Sequence, residues 1–361
     1  MYNIENLENR LNKFRTKLNE MKLASALITK RESYMYLSGF TGTSANLLIT
    51  ATKAYLLTDF RYMEQSKRQA PLFEIVQHKP DINDSINEIL NSEQVKTLGF
   101  EDHSVSYSSY SVLKNKLSNI EIKGIGLAVD EMRSIKDEQE IEIIAQAVKI
   151  ADEALMQVLP LIKPGITELD VAAELEYRMK KLGATGPSFE TIVASGLRSS
   201  MPHGVASDKK LKLGDAITLD FGALYNHYCS DITRTVFLGQ PDKKLLDIYN
   251  IVLEAQLTSE KGAISGRTGK EVDKIARDII YSKGFEGKFG HGLGHGLGLE
   301  IHENPRLSIG GDKVLENNMA VTVEPGIYVE GLGGVRIEDT IIIRGNNPQI
   351  LTKAPKDIII L

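Results

Sequence analysis

The chain has 361 residues, of which 42% are hydrophobic and 25% are charged. This is the composition of an ordinary globular protein, and it excludes the collagen-like, intrinsically disordered and disulfide-framework classes. The 43 basic residues against 48 acidic ones give a net charge of -5, which argues against a surface that tracks nucleic-acid phosphates. At roughly 150 residues per domain, the length predicts two domains.

Three further features bear on the compartment. Cys229 is the single cysteine, so no intramolecular disulfide can form, as expected under reducing conditions. No apolar run approaches the roughly 20 residues needed to cross a bilayer. The start of the chain, MYNIENLENRLNKF, mixes both charges and does not resemble a secretory signal. We therefore expect a cytoplasmic protein that binds neither membrane nor nucleic acid.

The first 125 residues alternate between helical and strand-like patterns. Apolar residues at alternating spacings of three and four predict a core-facing helix from Ile4 to Met21. Short β-type runs follow at 24–29, 45–50, 53–60, 73–77 and 95–101, separated by turn residues and helical patterns. This alternation predicts a small α/β domain with a mainly parallel sheet.

The pattern changes near residue 130, where long helices begin. One face of a long amphipathic helix is formed by Ile141, Ile144, Val148, Ala151 and Leu155. Pro164 and Gly165 end that helix, and Thr167 with Asp170 resembles a capping box for a second helix that runs to Gly183. We place the linker near 125–137, which predicts two domains, 1–130 and 131–361.

The chain is β-rich from about residue 187 onward. Strand-like runs lie at 215–224, 227–239, 318–330 and 333–344, and a helical stretch at 243–283 interrupts them. Five acidic or imidazole side chains occur in these runs or in a glycine-rich turn: Asp220, Asp231, His295, Glu324 and Glu338. An unpaired charge buried in such surroundings would be costly.

The types of these five residues point to a metal site. The eleven-residue spacing of Asp220 and Asp231 fits a hairpin that brings their carboxylates side by side. Two like charges so close would raise a pKa unless a multivalent cation lies between them. Carboxylates with one imidazole favour manganese, cobalt or zinc. The ligands suffice for two ions at about 3.5–4 Å that share a hydroxide.

Other catalytic motifs are weak or absent. The segment 290–305 places His291, His295 and His302 among glycines that allow close backbone approach. It fits neither the dinucleotide fingerprint nor H-E-x-x-H, and the chain has no P-loop. GTSAN at 42–46 lacks the final glycine of a nucleophile elbow, and Cys229 has no evident base beyond His227. A serine or cysteine hydrolase is therefore weakly supported.

Five motifs, however, carry a resemblance to a known family. LDFGA, SDITRT, HGLGHGLGLEIHE, TVEPGIY and VRIED occur in the order and at the spacings of the M24B metallopeptidases, over about residues 135–361. The chain resembles their proline-specific branch, the Xaa-Pro aminopeptidases (aminopeptidase P) and Xaa-Pro dipeptidases (prolidases). YMYLSGFTGTSANLLIT and YLLTDFRY resemble the creatinase-like N-terminal domain of these enzymes less specifically. The resemblance implies an α+β fold with a pita-bread catalytic domain and a smaller α/β N-terminal domain.

The resemblance also implies a set of metal ligands. Asp220 would bind one ion, and His295 and Glu324 would bind the other. Asp231 and Glu338 would bridge the two ions. On this resemblance manganese is the first choice for the two ions, with cobalt or zinc as alternatives.

The same resemblance implies roles in catalysis. A hydroxide between the ions would attack the carbonyl carbon of the bond that precedes proline, and Glu324 would accept and relay its proton. His302 and His203 would donate hydrogen bonds to the developing oxyanion. His291 would shape the proline-side pocket, and Arg336 would hold a substrate carboxylate or the following carbonyl through its planar fork.

Several functions remain as alternatives at this stage. Our main interpretation is an Xaa-Pro aminopeptidase that acts on proline-containing peptides, because GFTGT and TDFRY look more like that branch. The first alternative is an Xaa-Pro dipeptidase restricted to dipeptides. A non-catalytic peptide-binding module, a metal-free hydrolase similar to creatinase and a dinuclear phosphatase fit less well, since all five ligands are present and no phosphate clamp is evident. We also expect a homodimer.

Overall fold

A computed structural model gives the fold of residues 3–361. The chain divides into two units, one that ends at Arg133 and one that runs from Ser134 to Leu361. Among the helices of residues 3–361, none combines the length and the low charge that crossing a membrane would require.

The first unit is built on one six-stranded sheet. Its strands are β1 (Ser25–Ile28), β2 (Asn46–Thr50), β3 (Ala54–Thr58), β4 (Glu74–Gln77), β5 (Thr97–Phe100) and β6 (Glu121–Gly124). They lie in the order β4-β3-β2-β1-β5-β6. Three pairings are parallel, and only β2 runs antiparallel to both of its neighbours. The sheet is therefore mainly parallel, as the alternation of patterns predicts.

Helices lie before, between and after these strands along the chain. They are α1 (Ile4–Glu20), α2 (Arg31–Ser38), α3 (Met63–Gln69), α4 (Ile82–Ser92), α5 (Tyr107–Lys116) and α6 (Ala128–Ser134). The stripe predicted on α1 is buried at Leu7, Leu11, Phe14 and Leu18. Ile4 and Met21, at the two ends of the stripe, are exposed.

The second unit contains four longer helices. They are α7 (Glu138–Val158), α8 (Glu168–Lys181), α9 (Lys243–Gly262) and α10 (Gly269–Ser282). The capping box predicted at Thr167 and Asp170 is present at the start of α8, so the side chain of each residue accepts from the backbone N–H of the other. The helical stretch predicted at 243–283 forms two helices, α9 and α10, with a break between them. Gly266 there adopts a φ of 92°, which a helix cannot contain.

The strands of the second unit are short. In its first half they are β7 (Gly186–Pro187), β8 (Ile192–Ser195), β9 (Ala216–Phe221), β10 (Ala223–Tyr225), β11 (Tyr228–Cys229) and β12 (Ile232–Phe237). In its second half they are β13 (Gly294–Gly296), β14 (Glu303–Leu307), β15 (Ala320–Val323), β16 (Gly326–Val329), β17 (Gly333–Arg336), β18 (Asp339–Ile342) and β19 (Gln349–Ile350).

These strands form two helix-on-sheet halves. The sheet β12-β9-β8 packs against α7 and α8 through a buried cluster that includes Leu155, Leu175 and Leu219. The sheet β14-β13-β15-β18-β19 packs against α9 and α10 through a second cluster that includes Val252 and Val321. Each half buries the apolar face of its sheet under two helices.

Each of the four strand-like runs of the sequence forms two strands rather than one. Three of the breaks contain an acid that the sequence singles out: Asp231 lies between β11 and β12, Glu324 between β15 and β16, and Glu338 between β17 and β18. A break in the ladder frees a side chain from the alternation of faces and re-aims it, as β-bulges do next to active sites.

Candidate metal centre

The two halves of the second unit each supply part of the five-residue set. Asp220 lies in β9, directly opposite Thr233 of β12, and Asp231 lies one residue before β12. From the other half, β15 pairs with β18 so that Val323 faces Asp339. Glu324 and Glu338 are the residues that follow and precede this pair, so they lie together at the end of the ladder.

His295 reaches the same place from β13, where the pairing with β14 shifts register between His295 and Gly296. Glycines on both sides make this possible. A Cβ atom on Gly294 would lie 2.0 Å from the Thr322 carbonyl oxygen, and one on Gly296 would lie 2.2 Å from that of Asn304. The alternating glycines therefore serve the close backbone approach that the sequence suggests.

The five side chains converge. Oxygens of Asp220, Asp231 and Glu338 all lie within 4.8 Å of one another. The Nε2 atom of His295 is 3.5 Å from Asp231 Oδ2 and 3.3 Å from Glu324 Oε1. The structure thus brings all the predicted metal ligands together at one point.

Two of these carboxylates have an oxygen with no partner. Asp231 Oδ1 and Glu338 Oε1 are buried and accept no hydrogen bond from residues 3–361. Burial, with the charge of Glu338 next, raises the pKa of Asp231, and burial with the charge of Glu324 raises that of Glu338. Burial also raises the pKa of Glu324 to about 8. Buried carboxylate oxygens without a protein donor suit a divalent ion, which would compensate their charge.

The imidazole of His295 is oriented as a ligand. Its Nδ1 atom lies 3.1 Å from the Gly296 carbonyl oxygen, so Nδ1 carries the proton and Nε2 keeps its lone pair. Burial lowers its pKa to about 3, which keeps the ring neutral. Nε2 therefore has only a lone pair to present to the two carboxylates that it faces, and it cannot donate a hydrogen bond to either. A metal ion would satisfy all three groups at once.

A hydrogen-bonded chain leads from the carboxylates to the cavity wall. Arg336 donates to Asp220 Oδ2 at 2.6 Å and to the Tyr328 hydroxyl oxygen at 2.7 Å. The Tyr328 hydroxyl lies 2.8 Å from Nε2 of His291, whose Nδ1 lies 2.8 Å from the Gly292 carbonyl oxygen. Tyr328 therefore donates to a neutral His291, whose pKa burial lowers to about 4.

This chain limits what Arg336 can do. The guanidinium also donates to the Thr233 hydroxyl and to the Pro202 carbonyl, and the side chain is 3% exposed. Four of its five N–H groups are thus engaged inside the protein. In this arrangement Arg336 cannot offer a free two-pronged fork to a substrate carboxylate, because that fork already holds Asp220 and Tyr328.

The cluster lines a cavity of about 450 Å³. The imidazoles of His203, His291 and His302 line the same cavity, and the His302 ring packs edge-on against His295 with centroids 4.4 Å apart. Apolar wall is supplied by Phe189, Ile192, Val205 and Ile301. The site therefore combines a charged centre with a partly apolar recess, as small-substrate sites commonly do.

Sequence reasoning missed three contributors to the site. Thr233 donates to Glu338 Oε2 at 2.7 Å, and Thr322 donates to Glu324 Oε1 at 3.1 Å. Arg306 lines the cavity and is exposed there, and its guanidinium has no acceptor among residues 3–361. The available signal for Arg306 is its place in β14, between buried Pro305 and Leu307, since alternation in a strand turns it to the opposite face.

Comparison with known proteins agrees with this architecture. Residues 142–345 match metallopeptidase family M24, and residues 10–135 match the creatinase/prolidase N-terminal domain. An Xaa-Pro dipeptidase of Pyrococcus furiosus is 43% identical over 354 residues, which cover 98% of this chain and all of that protein.

Solved structures are equally similar. The Xaa-Pro dipeptidase from Bacillus anthracis is 48% identical, with a TM-score of 0.97 over 99% of this chain and 100% of that one. The X-Pro aminopeptidase from Thermotoga maritima is 41% identical, with a TM-score of 0.91 over 97% of this chain and 99% of that one. The expected fold is confirmed: a creatinase-type N-terminal domain precedes a catalytic domain of the pita-bread type.

Proposed function

The chain belongs to metallopeptidase family M24, and on that premise we propose that it is an Xaa-Pro dipeptidase, which hydrolyses the bond between an N-terminal residue and a C-terminal proline. Family membership makes it a metallo-exopeptidase. The names of its relatives favour the dipeptidase over the aminopeptidase that the sequence motifs suggested. Because the X-Pro aminopeptidase from Thermotoga maritima is also similar to this chain, the aminopeptidase remains the alternative function.

The unpaired guanidinium of Arg306 is the observation that carries the proposal. A dipeptide has its α-carboxylate directly on the proline, within the same small cavity as the bond to be cut. Arg306 lines that cavity and is free to bind a carboxylate through two parallel hydrogen bonds. A longer peptide has a neutral amide at this point, which is a weaker hydrogen-bond acceptor for a guanidinium than a carboxylate is. We therefore assign to Arg306 the role that the sequence analysis gave to Arg336.

We also propose that two divalent ions complete the site, held by Asp220, Asp231, His295, Glu324 and Glu338. The unpartnered oxygens of Asp231 and Glu338 support this assignment. Manganese is our first choice, because carboxylate-rich sets with one imidazole suit hard or borderline ions. Such ions supply Lewis acidity, which lowers the pKa of water and neutralises charge that develops on the substrate carbonyl.

The chain's own residues would divide the remaining work. Glu324 would accept the proton of the attacking water and pass it to the proline nitrogen. His302 and His203 would donate hydrogen bonds to the carbonyl oxygen as it becomes negative. His291, whose Nε2 is occupied by Tyr328, would present only its ring to the proline side of the cavity.

The test compares three substrates in manganese: Leu-Pro, its amide Leu-Pro-NH₂ and the tripeptide Leu-Pro-Gly, with a chelated control. We expect cleavage of Leu-Pro alone. Arg306→Met should raise KM for Leu-Pro by about 10- to 100-fold, the value of one charge-assisted pair, and Arg306→Lys should recover part of the loss. Equal cleavage of Leu-Pro-Gly would restore the aminopeptidase interpretation, and no cleavage in any metal would favour a non-catalytic peptide-binding module.

The homodimer stays a prediction. Light scattering should give twice the chain mass of 39.9 kDa. A monomer mass would contradict it.

A further inference from the structure

A loop of residues 196–207 forms part of the cavity wall. It follows β8, starts with a 3-10 turn at Gly196–Ser200, and brings Pro202, His203 and Val205 to the cavity. His203 is exposed, and nothing in the described chain, residues 3–361, hydrogen-bonds to its ring. The position of that imidazole therefore depends on how the loop is held.

The two ends of the loop are joined by a single carboxylate, that of Glu168 at the start of α8. Its Oε1 atom accepts from the backbone N–H and the hydroxyl of Ser195, at 2.9 and 2.7 Å. Its Oε2 atom accepts from the backbone N–H and the hydroxyl of Ser207, at 3.1 and 2.6 Å. Glu168 is fully buried. A buried carboxylate with this many donors resists displacement, because losing them would leave an unpaired charge.

Arg198 closes the loop from within. One terminal nitrogen of its guanidinium pairs with Glu168 Oε2, and the other donates to the Val205 carbonyl oxygen at 2.8 Å. The planar fork of arginine suits two acceptors held at a fixed separation. Arg198 thereby connects the first turn of the loop to the residue two positions after His203. We call Glu168, Arg198, Ser195 and Ser207 the loop clamp.

We propose that the loop clamp holds His203 in place for peptide-bond cleavage, so that Glu168 and Arg198 are positioning residues. The inference rests on the proposed function, since it gives both residues a part in that reaction. Neither residue lines the cavity. Any effect of the pair on turnover must therefore pass through the loop.

Kinetics on Leu-Pro test the first half of the proposal. Arg198→Ala should lower kcat/KM by about 10- to 100-fold, the cost of a displacement near 1 Å. Arg198→Lys should lose less, because lysine keeps the ion pair with Glu168 but cannot also hold Val205. In a His203→Ala background, Arg198→Ala should change kcat/KM by less than about twofold. An equal loss in both backgrounds, or a His203→Ala variant with full activity, would overturn the proposal.

Hydrogen exchange tests the second half without any substrate. Peptides that cover residues 196–207 should exchange faster in Arg198→Ala and in Glu168→Gln than in the parent protein, while peptides from β9 and β12 stay protected. Unchanged exchange in this loop would overturn the clamp. If the parent protein cleaves no Xaa-Pro bond, the proposed function fails by itself, and exchange still decides whether the clamp holds the loop.

The matched control is Arg178→Ala. Arg178 forms an i,i+4 pair with Glu174 on α8, at 2.6 Å, with both side chains about one-third exposed. It lies on the same helix as Glu168 but outside the clamp. This variant should leave both kcat/KM and the exchange of residues 196–207 at the parent values.

Discussion

Two neighbouring sets of buried acids in the second unit differ in how their charge is compensated: Asp339 has basic partners, whereas Glu338 and Asp231 do not. Asp339 accepts from Arg234 at 2.7 Å through Oδ1 and from Lys356 at 2.6 Å through Oδ2. Its chain neighbour Glu338 and the nearby Asp231 each keep one buried oxygen with no partner among residues 3–361.

Asp339 on one side, and Glu338 with Asp231 on the other, show two ways in which this fold accommodates a buried acid. A buried carboxylate is compensated by a cation, by hydrogen-bond donors or by a bound proton. At Asp339 the chain supplies that cation itself, from β12 and from the C-terminal segment. No lysine or arginine of residues 3–361 pairs with Glu338 or Asp231, and on the proposed assignment a metal ion would compensate their charge. We therefore expect the Asp339 carboxylate to stabilise the fold, and the carboxylates of Glu338 and Asp231 to provide coordination sites for a metal ion.

Replacing one acid of each kind by its amide should have opposite effects on metal binding and on stability, and these are the largest effects that we expect. Asp231→Asn should abolish hydrolysis and weaken manganese binding by at least about 100-fold, since even the outer partners of a metal cost 10- to 100-fold. The metal-free variant should be more stable than the metal-free parent, because a buried like charge is gone. Calorimetric titration and thermal unfolding measure the two effects. Retained turnover would contradict the metal assignment.

Asp339→Asn should behave in the opposite way. It leaves Arg234 and Lys356 without their shared carboxylate, so the free energy of unfolding should fall by about 3–5 kcal/mol, the usual cost of breaking a buried pair. The loss should be about the same with and without manganese. Urea unfolding in both states measures it. A loss that manganese fully reverses would place Asp339 in the metal site instead.

The unpaired cluster should also make stability depend on pH. The pKa of Glu324 is raised to about 8, against about 4.3 for an unfolded glutamate. Between these values the folded state binds more protons than the unfolded state, so metal-free stability should fall as pH rises from about 5 to 8. Bound manganese should abolish the fall in stability that comes from the titration of Glu324.

Glu260, whose pKa burial raises to about 7, titrates in the same range. The informative quantity is therefore the difference in Tm between loaded and metal-free protein, measured at each pH. It should widen as pH rises, since metal binding displaces protons from the ligands. A constant difference would mean that the cluster is already ionised without metal.

The smallest expected effect concerns the link between the cluster and the cavity wall. Tyr328→Phe removes the hydroxyl that joins Arg336 to His291. We expect kcat/KM to fall about 10-fold, in keeping with about 0.5–1.5 kcal/mol for each hydrogen bond, and metal stoichiometry to stay unchanged. Tyr225→Phe is the control, because no hydrogen bond to its hydroxyl occurs in residues 3–361. Loss of metal in Tyr328→Phe would show instead that the Tyr328 hydroxyl helps to hold the metal ligands in place.

Much of this architecture was predictable because its signals are local. The capping box at Thr167 and the stripe on α1 depend on residues three or four apart, where spacing alone fixes a face. The five candidate ligands stand out because each is a titratable residue in an apolar or glycine-rich segment. The resemblance then supplied their roles, which the structure's geometry supports as proposals.

The rest depends on contacts between residues far apart in sequence. The strand breaks at Asp231, Glu324 and Glu338 are invisible to an alternation pattern, which continues through them. Arg336 lies 116 residues from its partner Asp220, so the sequence could not reveal that its fork is occupied. The loop clamp joins Glu168 to Ser195 and Ser207, 27 and 39 residues away, and no spacing rule predicts such partners.

The number of metal ions bound per chain, determined together with Leu-Pro hydrolysis, decides whether the five-residue cluster is a catalytic metal centre. The chelated protein is equilibrated with manganese, freed of unbound ions and analysed for metal. We predict two ions per chain in the parent protein, activity that rises in proportion to occupancy, and neither binding nor activity in Asp231→Asn. Full hydrolysis by the chelated protein, with no ion bound, would show that the cluster does not act through a metal ion.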